Sequence, residues 1–157
     1  MSKAAKTRPP EIEVPLPLPV AEFAEREVIG AILEDSLLLD GLSLEPDDFF
    51  TPDTRRVFDA IQILISAQLP VDYITVADRL GNSREDYIVL GSMVNGAVAV
   101  KSHIDHYAGL LRNKARLRRL LRMGLWLIDA CKHPQADAGE LVKEITRQCE
   151  FPEGVSF

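Results

Sequence analysis

From Ala21 onward, apolar residues recur every three to four positions rather than every second one, the spacing of helices with one buried face. Phe23, Ala24, Val28, Ala31 and Ile32 fall on such a face, and residues 37–42 are apolar enough to be buried, with Gly41 as a stop. LEPDDFF (44–50) reads as a short helical turn, with Pro46 near its start and acids in its first turn. Thr51-Pro52-Asp53 has the form of an N-cap followed by proline at the first helical position. The helix that follows runs to about Ala67, with Val57, Phe58, Ile61, Leu64 and Ile65 as its core face.

Pro70 breaks the pattern. Residues 71–80 predict a short helix opened by Asp72 or Thr75, Gly81-Asn82-Ser83 a turn, 84–94 another short helix, and Asn95-Gly96 a stop. Residues 101–132 then predict one long helix, with no proline and only Gly109 and Gly124 as glycines. At about 1.5 Å per residue it is roughly 48 Å long. A domain of this size needs less, so part of the helix is expected to project and pack against a partner. His133-Pro134 ends it, and 137–150 predicts a last amphipathic helix with Leu141, Ile145 and Cys149 facing inward.

No strand pair with a hairpin turn stands out. The predicted fold class is all-α: a compact multi-helix head (21–98) followed by a projecting two-helix hairpin (99–151). The head's core should centre on Ile29, Leu33, Phe49, Phe58, Ile61 and Leu80. Residues 1–20 hold five of the ten prolines and read as a disordered or extended arm; 152–157 read as a tail or the start of a linker. At 46% apolar and 6% aromatic residues, the composition suits helix-on-helix packing. No apolar run is long enough for a transmembrane helix, no signal peptide is visible, and a cytoplasmic protein is expected.

Charge changes this picture. The net charge is −6, yet Arg112, Lys114, Arg116, Arg118, Arg119 and Arg122 lie together without an acid among them, which leaves −12 for the remainder. Two readings of this run stay open: a solvated or salt-bridged face opposite an acidic neighbour, and contact with phosphates or an acidic partner surface. The expected packing face of the long helix is Leu117, Leu121, Leu125 and Ile128, and Arg116, Arg119 and Arg122 join it as candidate interface residues. Glu25, Glu27, Glu34 and Asp35 read as solvated-face acids, and Asp47-Asp48 as helix N-terminal charge.

Catalytic and cofactor motifs are missing from these residues. There is no GxxxxGK[ST], HExxH or GxSxG. His103 and His106 have no further ligands at metal-site spacing, and neither do Cys131 and His133. Cys131 and Cys149 read as reduced, partly buried thiols. No enzymatic activity, cofactor or metal is expected from this chain by itself.

Four blocks, in order, resemble the N-terminal domain of the DnaB family of replicative hexameric helicases. AEREVIGAIL (24–33) is similar to the family's opening helix through Ala24, Glu25, Ile29, Gly30 and Leu33. LEPDDFFTPDTRRVFDAI (44–61) resembles its Asp-Phe…Pro…Arg…Phe…Ile block through Asp48, Phe49, Pro52, Arg55, Phe58 and Ile61. PVDYITVADRL (70–80) resembles its Pro-Val-Asp…Thr-Val…Leu block, and HYAGLLRNKARLRRLL (106–121) the entry into its helical hairpin. Departures fall in the loops and at one helix start: Thr54 stands where the family commonly has histidine, Gln68-Leu69 replaces a glycine-containing turn, and the stretch between Leu80 and Tyr87 is short and lacks Gly-Gly.

The resemblance implies a head and hairpin that pair with those of neighbouring subunits, building a collar that binds primase or a helicase loader. It also implies a motor and linker C-terminal to such a domain, so that a full-length parent would be an ATP-dependent DNA helicase. Contact with DNA is then weak or indirect, and no membrane is involved. Other readings stay open: a stand-alone adaptor or inhibitor that mimics this domain, the similarly folded helicase-binding domain of primase, and a helical DNA-binding protein that uses the basic helix.

Overall fold

The computed structural model describes residues 17–94 and 101–149. The Asn95-Gly96 stop, most of the proline-rich arm and the C-terminal tail lie outside these residues. The described residues are all-helical: α1 (Glu22–Glu34), a 3-10 turn (Ser36–Leu38), α2 (Leu39–Leu42), a second 3-10 turn (Pro46–Asp48), α3 (Pro52–Ser66), α4 (Tyr73–Leu80), α5 (Arg84–Val94), α6 (Lys101–Cys131) and α7 (Ala138–Cys149). The chain divides into two compact units, Pro19–Leu117 and a second that contains Arg118 onward.

In the first unit, α1 packs on α5 and α3, α3 on α4, and α4 on α5. Their shared core holds Val28, Ile29, Ile32, Phe49, Phe58, Ile61, Val76, Leu90 and Met93, all essentially without solvent contact. The start of α6 completes it with Ile104, Ala108 and Leu111, one helical stripe at spacings of four and three. Phe49 and Phe58 pack tilted by 30° with ring centroids 4.5 Å apart, at the short end of the range for aromatic pairs. Of the expected core, Ile29, Leu33, Phe49, Phe58 and Ile61 are buried, and Leu80 packs half-buried against the cluster.

Several expectations fail at helix edges. Phe23 is 87% exposed and Leu37 78% exposed, because each sits on the outer side of its turn. Ile65 is also exposed, whereas Thr54 and Ala60 take part in the buried face of α3. Gly41 lies within α2, and the reversal falls on Ser43, in the left-handed region (φ 47°).

The helix starts are built by side chains. Asp72 caps α4, its Oδ1 accepting from the amides of Ile74 and Thr75 (both 2.9 Å), while the Asp72 amide donates to Thr75 Oγ1 (3.0 Å). These bonds, the Thr75 amide foremost, hold the Asp72 carboxyl below its ordinary pKa. Gly81 ends α4 at φ 121°, a conformation that favours glycine. Ser83 and Asp86 form a reciprocal cap on α5: Asp86 Oδ2 accepts from the Ser83 amide and hydroxyl, and Ser83 Oγ accepts from the Asp86 amide.

In the second unit, α7 doubles back on α6. Asp137 opens it by accepting from the Glu140 amide (2.9 Å), and Cys149 Sγ lies 3.9 Å from Met123 Sδ. Leu141, Ile145 and Cys149 share the half-buried face of α7, as their spacing predicted. Cys131 is exposed, correcting the expectation of a partly buried thiol, because it falls in the last turn of α6.

Candidate interaction surfaces

A buried carboxylate organises the head. Glu25 has no solvent exposure, which overturns its reading as a solvated acid. It points from α1 to the start of α3, where it accepts from the amides of Phe50 (2.8 Å) and Thr51 (3.0 Å). The hydroxyls of Thr51 (2.7 Å) and Thr54 (2.6 Å) reach the same carboxylate. Thr51 does occupy the N-cap position before Pro52, but its side chain makes no cap bond. Glu25 thus binds the two backbone amides just before α3 from another helix, and its negative charge lies at the positive end of that helix. Thr54, one of the positions that depart from the family pattern, is thereby a buried donor to Glu25. Nothing in the local sequence of either helix signals this pairing, since the partners lie 25 to 29 residues apart.

A second network ties α3 to α5. Arg56 Nη2 donates to Asp86 Oδ1 (2.5 Å) and to the carbonyl of Leu80 (3.2 Å), the last residue of α4. Asp86 is buried. The Ser83 hydroxyl first, then Arg56, hold its carboxyl below the ordinary range. Arg55 pairs with Asp47 on the surface.

The basic run is not one solvated face. Arg112 is half-buried and its Nη1 donates to the carbonyl of Leu42 (2.5 Å), the last residue of α2. Lys114 and Arg116, in the same unit, are half-exposed. In the second unit Arg118 is 2% exposed, whereas Arg119 and Arg122 are exposed. The uniform solvated reading is therefore corrected at Arg112 and Arg118. Along the expected packing stripe, Leu121 and Leu125 are half-buried, and Leu117 and Ile128 lie exposed, as do Leu120 on α6 and Val142 on α7.

An open cleft of about 390 Å³ lies beside the start of α1. Val20, Ala21, Ala24 and Leu110 form its apolar lining, with Phe23, Glu22 and Lys114 also at its walls. Among the described residues no group of three or more His, Cys, Asp or Glu is placed to hold a metal ion. His103 and His106 contact the Tyr107 ring instead. No described helix is long and apolar enough to cross a membrane.

Comparison with known proteins agrees with this architecture. The family model described as the DnaB-like helicase N terminal domain matches residues 18–113. The replicative DNA helicase DnaC of Bacillus subtilis is 32% identical over 105 residues, covering 63% of this chain and 23% of the relative. The replicative DNA helicase DnaB of Haemophilus influenzae is 28% identical over 155 residues, covering 94% of this chain and 32% of the relative. The chain thus spans about a quarter to a third of these curated relatives' length. The crystal structure of the N-terminal domain of DnaB helicase from Mycobacterium tuberculosis superposes with a TM-score of 0.69 at 28% identity, over 84% of this chain and 97% of that one. A DnaB-like replicative helicase whose structure was described with its interactions with primase has the same fold, with a TM-score of 0.71 at 21% identity over 87% of this chain and 33% of that one. With a helical core, a matching family model over most of the head and these relatives, the chain belongs to the DnaB-like helicase N-terminal domain family.

Proposed function

We propose that this chain serves as the self-association and partner-docking domain of a replicative DNA helicase, with no motor of its own, acting in bacterial DNA replication in the cytoplasm. The observation that carries the reading is the family match over residues 18–113. The exposed apolar side chains Leu117, Leu120 and Ile128 on α6 support it, since they lie on the helix where the resemblance expects subunit contacts. The half-buried Leu121 and Leu125 pack within the same stripe. Primase or a helicase loader is the second partner class, and the primase contacts described for the structural neighbour favour it. DNA is at most a weak ligand, because Arg112 and Arg118 of the basic run are turned to internal use.

Sedimentation tests the self-association. The wild type should form dimers or larger species at high micromolar concentration. Replacing the exposed Leu117 and Ile128 with Asp should shift it to monomer with an unchanged helical spectrum, because burying a charge in an interface costs several kcal/mol. A wild type that is strictly monomeric in this range rejects the reading.

A further inference from the structure

Gly124 lies inside the 31-residue helix α6. Its φ is not positive, so left-handed freedom does not explain a glycine there. In a helix interior glycine is the least favourable residue after proline, because it gives up the most backbone entropy and adds no side-chain contact. Beyond its chain neighbours and the nearby backbone of its own helix, no described atom lies within 4 Å of where a Cβ on Gly124 would stand. The chain has room for a side chain at this position and carries none.

We propose that Gly124 is the point at which α6 crosses the α6 of a second copy of this chain. The proposal rests on the self-association above and narrows it from a face to one contact.

The surroundings of Gly124 are apolar and open. Leu120 and Ile128 stand four residues to either side of it, one turn away on the same face. Gly124 is exposed, and Leu120 and Ile128 are 42% and 56% exposed. Cys131, also exposed, continues the stripe. Charges avoid it: at about 100° per residue, Arg118, Arg119, Arg122 and Asp129 fall on the opposite half of the helix circumference. The result is two bulky apolar side chains with a notch between them.

Charge and shape select the occupant. Nucleic acid or a charged peptide finds no counter-charge on this stripe, and burying its charges there is costly. The stripe fits a surface that is equally uncharged and has a notch at the same height, and a second copy supplies that surface. In a two-fold contact the same patch is used by both copies, so Gly124 faces Gly124 and no side chain holds the two backbones apart. The helix axes then close to the lower end of the range of about 8–10 Å for helix pairs, and Leu120 and Ile128 of each helix pack against those of the other. The helix gives up intrinsic stability at Gly124 and gains contact there only in the dimer.

The test compares the full chain with Gly124→Ala and Gly124→Leu. Sedimentation over a concentration series reads self-association, and urea midpoints at a concentration where each protein is monomeric read the fold. Both substitutions favour the isolated helix, so the monomer's midpoint should rise. Both should weaken association, Gly124→Leu by about tenfold or more, because the added side chains hold the backbones apart. The two effects have opposite signs, which a loss of folding cannot produce. If α6 meets its copy elsewhere, a leucine at 124 only adds apolar area to an exposed stripe and leaves association unchanged or stronger; that result overturns the proposal. The wild type separates the two readings: association that Gly124→Leu does not weaken rejects the crossing point alone, and a strictly monomeric wild type at high micromolar concentration rejects self-association, and with it a second copy as the occupant.

Discussion

Glu25 of α1 accepts a hydrogen bond from the backbone amide of Thr51, 26 residues further on, at 3.0 Å. One carboxylate therefore fixes where α3 begins and how α1 lies across it. Glu25→Leu keeps the volume but leaves the amides of Phe50 and Thr51 and two hydroxyls without their acceptor. The expected loss is roughly 3 kcal/mol, since a donor stranded away from water costs about 1–3 kcal/mol. Glu25→Gln, which retains one acceptor oxygen, should lose less. A urea midpoint for Glu25→Leu equal to that of the wild type would show that these donors find water instead.

Acid should act on the head through Asp86. Its folded pKa lies below the ordinary carboxylate value because the Ser83 hydroxyl and Arg56 favour the carboxylate. A depressed carboxyl contributes stability that is fully present above the unfolded pKa and is lost as the pH falls through the folded value. Asp86→Asn should therefore be less stable than the wild type at pH 7, and the gap should narrow when urea midpoints are compared at about pH 3. A gap that is constant with pH would mean that the residue acts through shape alone.

Phe58 has no exposure and packs against Phe49. Phe58→Ala should cost roughly 3–5 kcal/mol, through lost burial plus the cavity left behind. Equilibrium denaturation reads this directly, and a midpoint that barely moves would place the head's core elsewhere.

The exposed part of the basic run should act toward protein. The acidic remainder of the chain, −12, offers a complement on a neighbouring copy and repels nucleic acid within a Debye length of ~8–10 Å. Replacing Arg116, Arg119 and Arg122 with Glu should weaken self-association and reduce its salt sensitivity. Anisotropy with a labelled single-stranded oligonucleotide should show only weak binding by the wild type at about 0.15 M salt. Submicromolar binding that the triple substitution abolishes would assign the run to DNA.

The sequence by itself determined the elements and the family. Helical spacing marks the buried faces of α1 and α3, proline and glycine mark the breaks, and the Asp72…Thr75 pair announces the cap of α4. Each is written in residues close together in the chain, where backbone geometry couples spacing to face. Tertiary structure alone decided which polar groups are internal. Glu25 and Arg112 look like surface charges in their helices, yet one binds the Phe50 and Thr51 amides before α3 and the other satisfies the Leu42 carbonyl, 70 residues away. Their partners are backbone groups at helix ends, which carry no side-chain signature. Only the packing of α1, α2, α3 and α6 brings those ends within reach, and once they are there, burial makes the hydrogen bonds obligatory.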